Sequence, residues 1–257
     1  MLWHAKPEVA VFGIINSTVV RSTNTVRNAA SGGSGTIQRI LLFLAAVSLL
    51  SVPAVCAGDS GTITFTLDFP NSAPEHYSIA VQGDGRANYE STGRISRDSE
   101  ERDNYKTEFN FSDATRARIF QLAAQAKYFS GKVDSGNKKL AFTGAKKLAY
   151  TDGQRSTSAD YNYSPQPAVQ QLTTIFQSVG ATLEYGRRLT YFHRYQKLAL
   201  DDELKQMEQQ ARNGEISELQ AVKPILQEIY DDSSVMKVVR VRALRIMDMS
   251  TGANARK

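Results

Sequence analysis

The chain has almost no cysteine. Cys56 is its one thiol in 257 residues, Trp3 its one tryptophan, and His4, His76 and His193 its three histidines. From Gly58 onward there is no thiol, which excludes disulfides, thiolate nucleophiles and cysteine-ligated zinc from that part of the chain. His76 and His193 lie far apart, and neither falls in an H-E-x-x-H spacing, so each reads as a surface or partly packed imidazole. No G-x-S-x-G elbow positions a serine nucleophile, and no glycine-rich loop with a following Lys-Ser/Thr cradles phosphates. The acidic cluster Asp98, Glu100, Glu101, Asp103 is interrupted by Arg97 and Arg102 and lacks the glycine bend of a calcium loop. Asp201, Asp202 and Glu203 sit on a helical stretch, where successive residues face different directions. Both clusters read as solvated charge. No metal and no cofactor is expected.

An excess of one charge sign is also missing. The formal charge is +5, but residues 1–57 hold four of the 31 basic and one of the 26 acidic side chains, leaving 27 and 25 beyond them. That balance gives no electrostatic case for nucleic acid. Long apolar runs are scarce as well. The strongest, Ile40 to Val52, is shorter than the roughly 20 residues of a membrane span.

What that run does resemble is an export signal. Arg39 supplies the positive charge, Ile40 to Val52 the apolar stretch, and Val55 and Ala57 the small residues of a cleavage site before Gly58. Residues 38–57 are therefore expected to be a signal peptide, and the protein to be periplasmic or secreted. The alternative is a membrane anchor, through an uncleaved signal or a lipidated Cys56. Residues 1–37 include the polar run Asn28 to Gly35 and read as a disordered or over-called extension.

Alternation begins at once in the exported part. Ile63, Phe65, Leu67 and Phe69 share one side of a strand. Tyr77, Ile79 and Val81 mark a second strand, and Asp84-Gly85 a tight turn into a third over Arg86 to Ser91. Arg94 to Asp103 reads as a charged loop, and Tyr105 to Phe111 as a fourth strand. Ser112 and Asp113 then cap a helix whose Ile119, Leu122, Ala123 and Ala126 share a face. Short strands follow at 140–143 and 147–151, then the Asp152-Gly153 turn, a return over Arg155 to Tyr163 and a helix from Ala168 to Val179. The expected fold is α+β: an antiparallel sheet of hairpins with two helices packed on one face, residues 58–182. An all-helical region is expected over 183–257, with helices at 183–212, 216–230 and 235–249. Its last two helices resemble one pair of a HEAT-type repeat, but a solenoid needs about three repeats, so they read as core-packing helices.

The sequence Tyr77-Ser78-Ile79-Ala80-Val81, then Asp84-Gly85, Tyr89-Glu90, the helix ending in Tyr128-Phe129 and the hairpin at Asp152-Gly153 resemble, in that order, a domain of unknown function found in exported bacterial proteins. The likeness covers about residues 62–180 and is one of pattern more than of exact motif. Some members of that family carry a cysteine in the turn before the second strand. Here the turn is Asn71-Ser72-Ala73-Pro74, so no role of that cysteine carries over. The resemblance implies a fold and a compartment, and no activity.

One segment is dense in basic and aromatic side chains. Arg187, Arg188, Tyr191, His193, Arg194 and Tyr195 offer guanidinium forks and ring faces to an anionic partner, or else cover the sheet with their rings while the arginines face water. Tyr150, Tyr161 and Tyr163 read as sheet-face packing. The function expected is a non-enzymatic binding or scaffolding protein of the bacterial cell envelope, its partner an envelope protein or anionic polymer. Alternatives are an envelope hydrolase using carboxylates or an unflagged serine, and an inhibitor or accessory subunit docking through a sheet edge.

Overall fold

The computed structural model describes residues 61–95 and 102–254. The export signal, Cys56 and the acids Asp98, Glu100 and Glu101 lie outside the described residues. The fold is α+β, built on a six-stranded antiparallel sheet with five α-helices among the described residues. Strands β1 (Thr62–Asp68), β2 (His76–Gln82), β3 (Arg86–Arg94) and β4 (Arg102–Asn110) form a meander. Helix α1 (Asp113–Gln125) follows, then strands β5 (Ala145–Thr151) and β6 (Ser156–Tyr161) on the other side of β1. The spatial order is β4-β3-β2-β1-β5-β6.

Residues directly opposite in an antiparallel ladder share a face, so the register turns six strands into transverse rows. One row reads Phe109, Ala87, Val81, Ile63, Tyr150, Thr157, and the next Thr107, Tyr89, Ile79, Phe65, Leu148, Ala159. Both are largely apolar and form the core. The third row is different: Tyr105, Ser91, Tyr77, Leu67, Lys146, Tyr161. Four of its members, Ser91, Tyr77, Lys146 and Tyr161, are buried yet polar-tipped. A polar row on a buried face must find partners on whatever covers it.

Helix α2 (Pro167–Tyr195) covers it. Its residues meet the strands about one helical turn apart. Thr173 bonds Tyr161 of β6, Phe176 stacks on Phe65 of β1, and Gly180 lies against the Tyr77 ring of β2. Glu184 then meets Tyr89 and Ser91 of β3, and Arg187 approaches Asp103 of β4. A turn rises about 5.4 Å and strands are spaced about 4.8 Å apart, so a helix laid across a sheet visits successive strands turn by turn. Thr182 to Arg187 are all buried, as expected of a helix covered on more than one side.

The far side of α2 carries the C-terminal helices α3 (Leu200–Asn213), α4 (Lys223–Asp231) and α5 (Lys237–Asn254). A β-carbon on Gly186 would stand 2.6 Å from Val222 Cγ1, and one on Gly180 would stand 3.0 Å from the Tyr77 ring. The two glycines thus permit close approach on two sides of one helix. Leu204, Met207, Leu226, Ile229, Val239 and Ile246 join the sheet residues in one apolar cluster. Glu208 of α3, buried, receives Arg212, Arg242 and Arg245. Among the described residues no helix is long and apolar enough to cross a membrane.

Four expectations need correction. The helices expected at 168–179 and 183–212 are one helix to Tyr195, a break at Gln196 and then α3. Gly180, just beyond the expected end of the first of these, lies within the helix and serves close packing. The charged loop at 94–103 is shorter, because Gly93 pairs with Asp103 and Arg94 with Arg102. The strand expected at 140–143 is absent: Asn162 takes the place of a partner strand, accepting from Thr143 N and donating to Ala141 O, each at 3.0 Å. The helix expected from residue 216 is a 3-10 turn at Leu219–Val222 followed by α4, with Pro224 in the first turn.

Candidate binding cleft

Between the β1–β2 turn and the middle of α2 lies a cleft of 340 Å³. Its floor is Leu67, Tyr77 and Tyr89, and its wall is Gly180, Glu184 and Arg188. Gly180 opens it, since a side chain there would fill the space above the Tyr77 ring. The lip is aromatic. Phe69, 37% exposed, lines it, and Phe142 packs on the Phe69 ring from outside the cleft, edge to face at 5.9 Å. Ser72, Ala73 and Pro74 line the rim beside Phe69, and the Ser72 hydroxyl shares its one proton between the carbonyls of Phe69 and Pro74.

The charged groups are already engaged, whereas the side chains of Tyr77, Gln177, Tyr185 and Gln210 are not hydrogen-bonded among the described residues. Glu184 Oε1 accepts the hydroxyl protons of Tyr89 at 2.8 Å and Ser91 at 2.6 Å. Its Oε2 accepts from Arg187 Nη1 at 3.3 Å. Arg187 Nη2 donates to Gly93 O at 2.9 Å, and Asp103 lies 3.6 Å away. Arg188 donates from Nε to Glu203 of α3 at 2.7 Å and lies over the Tyr185 ring. The cleft's charges are thus matched in pairs. The Tyr77 hydroxyl has no hydrogen-bond partner among the described residues, although the residue is 6% exposed and lines the cleft. Burial, then the proximity of Tyr161 and Glu184, keeps that phenol protonated far above the ordinary tyrosine range. Burial and the Glu184 charge do the same for Tyr89.

The basic-aromatic segment is not gathered into one surface. Arg187 points into the protein, and Arg188 is half-buried on Glu203. His193 Nε2 lies 2.9 Å from Asp232 Oδ2, which Lys197 also reaches. Tyr191 packs on Phe192 and Tyr195. Arg194 and Tyr195 face solvent, the guanidinium 5.3 Å from the ring. His76 pairs with its cross-strand neighbour Asp68. Asp201 receives Arg242, and Glu203 receives Arg188, so these acids serve helix packing. Among the described residues no group of three or more His, Cys, Asp or Glu side chains is placed to hold a metal ion.

Tyr77 is legible in the sequence only as a strand residue, and Glu184 is not singled out there at all. A glutamate amid Val179, Leu183 and Leu189 was the available clue, since a carboxylate on an apolar face needs buried partners. No protein-family model matches the chain, and no curated protein compared with it does so.

Proposed function

We propose that this is an exported bacterial protein of the cell envelope that binds its ligand without transforming it, and that a small uncharged amphipathic molecule sits in the cleft under α2. The observation that carries the reading is the Tyr77 hydroxyl, a protonated donor facing a 340 Å³ space with no partner of its own among the described residues. Pockets of this size suit small molecules, gripped by apolar walls and oriented by few polar groups. The aromatic lip offers the apolar grip, and Tyr77 the hydrogen bond. Because Glu184 pairs with Arg187 and Arg188 with Glu203, the walls favour a ligand without net charge.

Export is supported by the signal-like residues 38–57 and by the resemblance of residues 62–180 to exported proteins. Helix α1 is taken to lie beside α2 on the same sheet face, which stiffens the floor. A carboxylate hydrolase is the second reading, favoured by Glu184 in the cleft wall. It requires Glu184 to give up contacts that occupy both of its oxygens.

The test is titration of the isotope-labelled protein, recovered from a bacterial periplasm, with benzyl alcohol and related neutral hydroxyl-bearing aromatics. Saturable shifts at Tyr77, Gly180 and Ala181 are expected, weakened about tenfold in Tyr77→Phe through loss of one hydrogen bond. No shift at these positions across the series, or turnover of ester or glycoside probes that is lost in Glu184→Gln, overturns the binding reading.

A further inference from the structure

Four charged residues are buried in the described structure: Lys146, Glu184, Arg187 and Glu208. Three of them meet opposite charge, Glu184 with Arg187 and Glu208 with its arginines. Lys146 does not. Its Nζ donates only to neutral oxygens: Thr143 Oγ1 at 2.9 Å, Asn162 O at 3.0 Å, Thr143 O at 3.1 Å and Gly144 O at 3.2 Å. A buried cation without a counter-charge is costly, and burial lowers the affinity of this amine for its proton. Four acceptors also exceed the three protons of an ammonium, so one is replaceable. The Thr143 hydroxyl is the one that rotates.

This ammonium lines a second cavity, of 320 Å³, on the β5–β6 side of α2. Tyr161 and Tyr163 supply ring surface, and Gln170, Thr173 and Gln177 supply amides and a hydroxyl from the helix. Tyr163 is 46% exposed, and its hydroxyl is oriented by Gln170 Nε2 at 2.8 Å. Groups that both donate and accept, set beside ring faces, suit a molecule whose hydroxyls alternate with C–H surface. One ammonium matches a single negative charge, a carboxylate in preference to a doubly charged phosphate.

We propose that the cavity beside Lys146 binds a small hydroxylated carboxylate of sugar-acid size, with Lys146 as counter-charge, Thr143 turning its hydroxyl to the ligand, and Tyr163 and Gln170 facing the ligand's hydroxyl-bearing ring. The site shares only Gln177 with the cleft at Tyr77 and stands whether or not that cleft binds anything.

The experiment is calorimetric and NMR titration of the whole chain with D-glucuronate, D-glucose and acetate. D-glucuronate is expected to saturate, shifting Thr143, Lys146 and Tyr163, with D-glucose and acetate each weaker by about tenfold or more, the scale of a lost charged hydrogen bond. Lys146→Met keeps the stem, removes the charge and is expected to abolish binding. Should that variant fail to fold by circular dichroism, Tyr163→Ala decides, because the exposed ring can be removed without disturbing Lys146; a loss of about fivefold is expected there. Equal affinity for D-glucose and D-glucuronate, shifts elsewhere, no saturation at millimolar concentration, or unchanged binding in Tyr163→Ala overturns the proposal.

Discussion

Tyr89 and Glu184 stand 95 positions apart in the chain, and the tyrosine hydroxyl donates to the carboxylate at 2.8 Å in a buried layer between β3 and α2. Arg187, one turn further along α2, closes the charge balance. Glu184→Gln keeps acceptors for Tyr89 and Ser91 but leaves the buried guanidinium with only the exposed Asp103 carboxylate, 3.6 Å away, as counter-charge. The expected loss is about 3–5 kcal/mol of unfolding free energy in urea. The double variant Glu184→Gln, Arg187→Met removes the weakly paired buried charge and is expected to recover most of that loss. Equal stability of the single and double variants would show that the pair contributes nothing beyond its hydrogen bonds.

Gly186 sits where α2 meets Val222. Gly→Ala within a helix ordinarily gains about 1 kcal/mol, but a β-carbon here stands 2.6 Å from Val222 Cγ1. Overpacking of this kind costs about 1–3 kcal/mol and wins. Gly186→Ala is therefore destabilising alone, and Val222→Ala is expected to rescue it in part, although Val222→Ala destabilises the wild-type chain. A double-mutant cycle of thermal melts checks the sign of that coupling.

The sheet was largely legible in the sequence because its signal is local. Tyr77, Ile79 and Val81 alternate within one strand, and Asp84-Gly85 forces the turn beside them. The cleft was not legible, because it is made by register and by a helix crossing. Ser91, Tyr77, Lys146 and Tyr161 come from four strands and line up only once the pairing is fixed. The continuation of α2 past Val179 was hidden for a related reason: a glycine that ends a helix and one that, like Gly180, lets a helix lie on a tyrosine ring look alike in sequence. The Arg187–Tyr195 segment was visible as composition, but which arginine turns inward depends on Glu184 and Gly93, and its spacing alone does not say.

Buried phenols make stability fall in alkali. Tyr77, Tyr89 and Tyr161 keep their protons in the fold well above the ordinary range, chiefly through burial. The unfolded chain releases those protons near pH 10, so above that pH it binds fewer protons than the native state. Stability contributed by these groups is complete below about pH 10 and is lost as pH rises further. Lys146, whose proton affinity is lowered by burial, acts in the opposite direction but is one group against three. Urea midpoints from pH 8 to 11.5 are expected to hold and then drop, with the 295 nm tyrosinate absorbance of Tyr77 and Tyr89 appearing only on unfolding, as the linkage requires. Full ionisation while the protein remains folded would contradict the burial of these hydroxyls.

At the other end of the pH scale, Asp232 gathers Lys197, Ser234 and His193 around one carboxylate, and these contacts, led by the Lys197 hydrogen bond, hold it well below the usual carboxylate range. A depressed carboxyl contributes stability at pH values above its unfolded value, near 3.9, and loses it as pH falls further. Asp232→Asn is expected to lower the melting temperature at pH 7 and to narrow the gap to wild type below pH 3. Because the group keeps partial contact with solvent, added salt should shrink the difference. Thermal melts across pH 2–7 with and without salt measure both effects, and a gap independent of pH would assign the role of Asp232 to turn geometry alone.

The end of α1 stores strain that a single substitution relieves. Lys127, Tyr128 and Phe129 have φ of 51°, 51° and 64°, a left-handed turn without a glycine. For an L-residue this conformation costs about 1–2 kcal/mol, which neighbouring contacts must offset. Those contacts belong to the second and third residues. Tyr128 stacks on Tyr150 at 4.4 Å beneath Arg155, its carbonyl accepts from Thr157, and Phe129 is buried. Lys127 is exposed, and its carbonyl bond to Ser130 needs no side chain. Lys127→Gly therefore removes strain and no packing, and is expected to stabilise the fold by about 0.5–1 kcal/mol after the added entropy of the unfolded glycine is subtracted. Lys127→Val, β-branched at a positive φ, should destabilise it by more than that. Melting temperatures that fell for glycine and rose for valine would mean that the left-handed turn is not the native conformation at this position.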